Sequence, residues 1–305
     1  VSLQAIGVAK YHQHINAKAL TTIGKCDKLL TCHFRGCIVS ALSSGSVKLG
    51  SREHQSRSGS MRVKTAMTIV LLPGLDGTGT LYQHLAQQLA PDFDLQVIAY
   101  PLGKLWGYQQ LLDFIRPQLP QGPYLLLAES FSGPLGIMVA AEQPPHLKAL
   151  VLCCTFGRNP LPVIKGLASA VDKLPWNELV HHWTALWLQG RYASAELSVL
   201  LEKALTMVPE LVIKYRAKQV LQVDVLAEFA ALTLPVMYLQ ARQDRLIWAF
   251  NAKTLALLKP DMQLVRLDAP HFLLQAIPEQ AAYQLKQFIQ HKIPSETNAD
   301  TALSA

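Results

Sequence analysis

From Thr68 onward, apolar residues fall in short runs separated by amphipathic segments. A strand buried on both faces of a parallel sheet reads as a continuous apolar run, whereas a helix lying on that sheet is apolar at every third or fourth position. The runs predict strands over residues 68–72, 95–100, 124–128, 149–153, 236–240 and 263–267. Helical periods predict helices near 80–89, 107–118, 132–142, 249–258 and 278–291. Strands alternating with helices make repeated βα units, so the expected architecture is α/β: a mostly parallel central sheet of about six strands flanked by helices.

One interval breaks the alternation. From about residue 157 to 233 no strand is evident and the chain reads as several helices, too long a stretch for a plain crossover. Pro160, Pro162, Pro175 and Pro209 punctuate it, and Trp176, Trp183, Trp187, Leu188 and Tyr192 make it aromatic and apolar. A helical cap inserted after the fourth strand accounts for both features. Most of these aromatics serve to pack the cap onto the body; Trp176, Trp183 and Trp187 are the candidates for lining a substrate pocket.

Residues 1–66 show neither period, and 40–60 is dense in Ser, Gly and basic side chains. This leader holds ten Lys/Arg against two Asp/Glu; the rest of the chain, with 18 against 19, is nearly neutral, so the formal charge of +7 belongs to the leader. A nucleic-acid reading needs basic residues clustered with aromatics or a known motif, and neither is visible. A core domain over 67–292, a leader over 1–66 and a flexible tail over 293–305 are therefore expected. Met61 and Met67 stand just before the first strand, which makes Met61 the expected translation start.

Half of the residues are hydrophobic, ample for a core, yet no run of eighteen apolar residues exists to span a membrane. The start lacks the apolar centre and cleavage site of a secretory signal, so an unprocessed cytoplasmic protein is expected. Cys26, Cys32, Cys37, Cys153 and Cys154 fit neither a zinc knuckle nor a disulfide framework; Cys153 and Cys154 end an apolar run and read as core residues in a reducing compartment.

The sharpest chemical signal is the stretch from Pro123 to Ala141, where an apolar strand runs into a helix through Ala128-Glu129-Ser130-Phe131-Ser132-Gly133. A serine on such a turn is held in a strained conformation with its hydroxyl thrust above the sheet, which demands small neighbours two positions away. Ala128 and Ser132 meet the size rule while departing from the glycines of G-x-S-x-G. Ser132 is the rival nucleophile, but its place favours capping the following helix. A serine needs a positioned base, and His271, between the last strand and the last helix, is better placed than the other histidines. The base needs a carboxylate to fix its tautomer, and Asp244, just past the fifth strand, suits that role. Asp268 reads as a brace for the histidine loop, and Asp224 lies near the end of the cap. Donors for a developing oxyanion are expected from the backbone N–H of Phe131 and from that of Leu75, in the glycine-rich loop Leu71-Leu72-Pro73-Gly74-Leu75-Asp76-Gly77-Thr78-Gly79. A phosphate-loop reading fails, because the Lys-Ser/Thr that ends a Walker motif is absent.

The order Ser130, Asp244, His271 with the Pro-Gly-Leu-Asp-Gly loop upstream resembles the α/β-hydrolase superfamily, and Leu72–Gly79 with Glu129–Pro134 looks like its small bacterial esterases, lipases and thioesterases. The resemblance covers about residues 67–291. It implies a carboxylic ester hydrolase working through an acyl-enzyme on a small-molecule ester, with neither metal nor organic cofactor; the apolar cap makes short to medium acyl chains the expectation, and the absence of a basic motif and of a long apolar run leaves no nucleic-acid partner and no stable membrane insertion expected. The family's sheet usually begins with a strand pair ahead of the loop; this chain shows no counterpart, which predicts six strands. Relatives that open epoxides or remove halides carry an aspartate where Ser130 stands, so those reactions are disfavoured. An acyl thioesterase or acyltransferase with the same residues is the alternative, and a non-catalytic module that kept the pocket is the rival from another class. A chain deleted of residues 1–60 is expected to keep its solubility and its hydrolytic activity, which an expression and ester-turnover comparison with the full chain checks.

Overall fold

The computed structural model describes residues 67–162 and 187–293. The expected leader, the first part of the cap with Trp176 and Trp183, and all but the first residue of the tail lie outside the described residues.

Six parallel strands form one sheet in the order β2-β1-β3-β4-β5-β6. They are β1 (Thr68–Leu72), β2 (Asp94–Val97), β3 (Tyr124–Glu129), β4 (Leu147–Cys153), β5 (Val236–Ala241) and β6 (Gln263–Leu267). Between them run α1 (Gln83–Leu89), α2 (Tyr108–Ile115), α3 (Gly133–Ala141) and, after β5, α7 (Ala249–Leu258), with α8 (Leu273–Ala276) and α9 (Pro278–Lys292) closing the chain. The cap between β4 and β5 contributes α4 (Ala195–Thr206), α5 (Glu210–Val220) and α6 (Leu226–Ala230). One antiparallel bridge, Arg158 to Asp224, ties the two ends of the cap together, a pairing that its helical reading did not include.

Alternate side chains along each strand serve two separate cores, as the period of two requires. Val70, Leu72, Leu126, Ala128, Leu150, Leu152 and Tyr238 face α2, α3, α6 and α7. Ile69, Leu71, Leu125, Leu127, Val151, Met237 and Leu239 face α1, α8 and α9. Both faces of β3 and β5 are fully buried, which is why these strands read as unbroken apolar runs.

The second strand is shorter than its apolar run. It stops at Val97, three residues before the expected 100. Ile98 N–H still reaches Leu71 O at 3.1 Å, but Tyr100 N–H turns to Gly77 O at 2.7 Å, so the chain leaves the sheet to brace the loop after β1. The helices at 80–89 and 107–118 each contain a 3-10 turn, Thr80–Tyr82 at the start of one and Arg116–Gln118 at the end of the other. Pro117 lies in the latter, where a missing N–H interrupts the α ladder. No helix among the described residues is long and apolar enough to cross a membrane.

The segment that carries Ser130 is packed tightly onto the sheet. A Cβ added at Gly136 of α3 would lie 2.7 Å from Ala128 Cβ on β3, closer than two carbons approach. Gly136→Val is therefore expected to destabilise the fold by about 2 kcal/mol through overpacking. Gly103→Ala, where nothing stands within 4 Å, is expected to be neutral; urea denaturation of both variants makes the comparison.

Candidate active site

Because all six strands run the same way, the loops that follow β1, β3, β5 and β6 gather at one edge of the sheet. Ser130 opens the turn after β3 with φ of +50°, a left-handed conformation that side chains other than glycine rarely adopt. The turn is held from β4's end and from β5. Thr155 donates its hydroxyl to the carbonyl of Ser130, and Thr155 is itself clasped by Tyr238, whose OH donates to Thr155 O at 2.6 Å and accepts from Thr155 N–H at 2.9 Å. Gly133 is required here: a Cβ would stand 1.9 Å from Thr155 Oγ1.

Ser130 Oγ lies 2.9 Å from His271 Nε2, and His271 Nδ1 lies 2.8 Å from Asp244 Oδ2. The other carboxylate oxygen of Asp244 accepts from the N–H groups of Leu246 and Ile247, both at 2.8 Å, so the carboxylate is fixed by its own loop and aimed at the imidazole. With Nδ1–H given to Asp244, Nε2 is left as the acceptor for the serine hydroxyl. The three residues singled out from the sequence thus form one connected line across three loops. Burial alone would lower the pKa of His271, but the charge and hydrogen bond of Asp244, helped by Glu129, outweigh it and the net shift is upward.

Ser132 departs from its expected part. It stands at the N-cap position of α3 but makes no side-chain cap bond. Instead its hydroxyl is fully buried, donates to Pro73 O and accepts from Tyr100 OH at 2.5 Å, tying the serine turn to the loop after β1. That occupation also removes it as a nucleophile. Asp268 braces the histidine loop as expected, taking Gln243 Nε2 at 2.5 Å and Arg191.

The glycine-rich loop passes beside Ser130: a Cβ added at Gly74 would be 4.0 Å from Ser130 Cβ. Gly77 N–H closes a turn onto Gly74 O at 3.0 Å, and Gly77 and Gly79 both take positive φ. Phe131, after the serine, is pinned through its ring, stacked on Tyr108 at 4.9 Å, and through its carbonyl, which accepts from Tyr108 OH at 3.1 Å. The peptides on either side of Leu75 and Phe131 are thus held, by Gly77 N–H on Gly74 O, Arg216 on Leu75 O and Tyr108 OH on Phe131 O. Trp187 is 52% exposed.

Two groups lie at the site without having been placed there by the sequence reading. Glu129, the residue before Ser130, is buried, with Gln275 Nε2 donating to it at 3.0 Å. Burial pushes its carboxyl up to about 7, against the hydrogen bond of Gln275 and the charge of His271, which favour ionisation. Gln275 Oε1 is itself buried without a donor. The other group is Cys154, whose thiol lies with His271 and Asp244 so that one ligand atom from each falls within 4.8 Å of the others. Burial pushes that thiol up, away from the thiolate a metal would need, and the histidine and carboxylate are already spent on each other. The sequence held one usable signal for Glu129: an acidic residue closing an otherwise apolar strand.

No protein-family model matches this chain, and no curated protein does. Solved structures do. A lipase-esterase related protein from Clostridium acetobutylicum is 14% identical with a TM-score of 0.63, over 74% of this chain and 96% of that one. An esterase from Exiguobacterium antarcticum is 11% identical with a TM-score of 0.66, over 75% and 93%. An α/β-hydrolase enzyme from a Medee basin deep-sea metagenome library is 15% identical with a TM-score of 0.61, over 73% and 89%. The chain has the α/β-hydrolase fold.

An acid whose pKa is higher in the folded than in the unfolded state keeps its proton longer when native, so stability falls as pH rises between the two values. For Glu129 that window runs from about 4.5 to about 7, and the loss is on the order of 3 kcal/mol. Glu129→Gln is expected to melt above the wild type at pH 8, with the gap narrowing at pH 5. Thermal scans at both values measure it, and an equal gap at both would count against the assignment.

Proposed function

We propose that the chain is a serine hydrolase that cleaves carboxylic esters of small molecules through an acyl-enzyme. The observation that carries this reading is the Ser130–His271–Asp244 line, with contacts of 2.9 and 2.8 Å, built on a serine at positive φ. Structures named as an esterase and as a lipase-esterase related protein share the fold, which supports the reaction class without fixing a substrate.

In the proposed cycle Ser130 Oγ attacks the ester carbonyl while its proton passes to His271 Nε2. Asp244 holds the ring and stabilises the imidazolium. The carbonyl electrons move onto oxygen, where the N–H groups of Leu75 and Phe131 receive the charge. Collapse expels the alkoxide, which takes the proton from His271 and leaves as alcohol. Water then gives its proton to His271 as it attacks the acyl-serine, and collapse of that intermediate releases the acid while Ser130 Oγ takes the proton back from His271. Each proton and electron pair is carried by these side chains, the substrate and water. In this reading the cap, whose Val208, Val212 and Ile213 cluster with Leu75, would supply an apolar acyl pocket for short to medium acyl chains.

Ser130→Ala and His271→Ala are each expected to lose roughly 10⁴-fold or more in kcat on a 4-nitrophenyl ester panel, with the double variant little worse than either, because the residues act as one unit. Ser130→Ala should also lose labelling by a fluorophosphonate, and a variant that keeps turnover sinks the reading. The base works when neutral, so kcat/KM should rise with pH through an apparent pKa above 6.5, and Glu129→Gln, which removes a negative charge that raises it, should move that limb to lower pH.

A further inference from the structure

Arg216 lies on α5 of the cap, yet it is 1% exposed. Its Nη1 donates to Leu75 O at 3.0 Å and to Asp76 O at 2.8 Å, and its Nη2 donates to Pro101 O at 3.3 Å. The guanidinium also lies over the ring of Tyr100, 5.5 Å from its centre. Among the described residues no carboxylate bonds to it: the Asp76 side chain is occupied by Thr78 N–H and Thr78 Oγ1, at 2.8 and 2.5 Å. Its Nε is buried without any acceptor. Burying a cation in this way is costly, and an apolar side chain would fill the space at less cost. What the cation does that an apolar residue cannot is hold backbone carbonyls.

The carbonyls it holds belong to the loop beside Ser130. Leu75 is fixed on both sides: the peptide before it by Gly77 N–H on Gly74 O at 3.0 Å, the peptide after it by Arg216 on Leu75 O. Its side chain packs against Val208, Val212 and Ile213, two of which share α5 with Arg216. Gly77 is kept bare for the guanidinium, since a Cβ there would fall 2.5 Å from Nη1. The arrangement extends to the serine turn through Tyr100, which lies under the guanidinium, takes Gly77 O with its N–H at 2.7 Å, and reaches Ser132 with its OH at 2.5 Å.

We infer that Arg216 is a positioning residue: by fixing the peptide that follows Leu75 it sets the orientation of the Leu75 N–H, the proposed oxyanion donor, so that stabilisation of the tetrahedral intermediate depends on the cap being seated. The inference rests on the ester-hydrolysis reading. Arg216 touches no substrate in it; with Nη1 and Nη2 spent on carbonyls and the side chain closed off from solvent, it acts through the loop. Its removal lets the Leu75 N–H drift, which weakens the transition state and leaves ground-state binding of the ester almost untouched.

The test uses the full chain as wild type, Arg216→Met and Arg216→Lys, each normalised to the fraction titrated by a fluorophosphonate. On a 4-nitrophenyl ester, Arg216→Met is expected to lose about 100-fold in kcat with KM changed by less than about threefold. Arg216→Lys, which keeps the cation but loses the length and the second arm of the fork that reaches Pro101 O, is expected to recover about tenfold of that loss. Inhibition by an arylboronic acid, whose adduct on Ser130 is tetrahedral, should weaken in step with kcat. A titratable Arg216→Met enzyme with kcat within about threefold of wild type, or with the loss confined to KM, overturns the inference. Where Arg216→Met does not fold, Arg216→Lys decides: reduced kcat at unchanged KM supports it, and wild-type kcat overturns it. A wild type that neither labels nor turns over esters sinks the hydrolase reading and this inference together, whereas an active wild type matched by both variants sinks this inference alone.

Discussion

The site depends on one backbone conformation, the positive φ of Ser130. Such a conformation costs about 1–3 kcal/mol in a residue with a side chain and persists where its surroundings over-determine it. Here they do so from three directions. Thr155, clasped by Tyr238 on β5, holds the carbonyl of the serine; Gly133 and Gly136 let α3 come against Thr155 and β3; and Ser132 carries the turn across to Pro73 and Tyr100. The strain points the hydroxyl out of the sheet edge, toward the imidazole 2.9 Å away.

The rest of the architecture serves to bring partners to that hydroxyl. A parallel sheet delivers the ends of β1, β3, β5 and β6 to one edge, so residues 141 positions apart in the chain, Ser130 and His271, meet without any local signal joining them. Two buried cores, one on each face, keep the sheet rigid beneath the meeting point. Electrostatics then divide the work: Asp244 is satisfied by its own loop and can spend one oxygen on the histidine, while Glu129, in a drier place, holds on to its proton well into the neutral range.

Much of this was legible in the sequence because a parallel strand buried on both faces leaves an unbroken apolar run. Strands β1 and β6 begin and end where their runs do. The run over 95–100 misled, since Tyr100 is buried for a different reason: it braces a loop rather than a neighbouring strand. Ser130, His271 and Asp244 were legible because each stands just beyond a strand, where chain order predicts spatial meeting. Arg216 was not, because a basic residue within a helical pattern reads as solvent-facing, and its burial follows from where α5 docks. Ser132 was half legible: its place at the helix start was evident, but its hydroxyl went to a tertiary partner that no local pattern encodes.

The cap meets the body on both sides of the edge where Ser130 and His271 lie. On one side Arg216 grips the loop at Leu75; on the other Leu188 O accepts Phe272 N–H at 3.1 Å, Tyr192 OH reaches Asp268 O at 2.5 Å, and both contacts fall on the segment that carries His271. Grafting a foreign cap would therefore exchange more than the cap's own surface. A transplant that omitted these grips would leave the loops of Leu75 and His271 unmoored, so recombination breakpoints for such chimaeras belong inside the cap, with α5 and residues 188–192 left native.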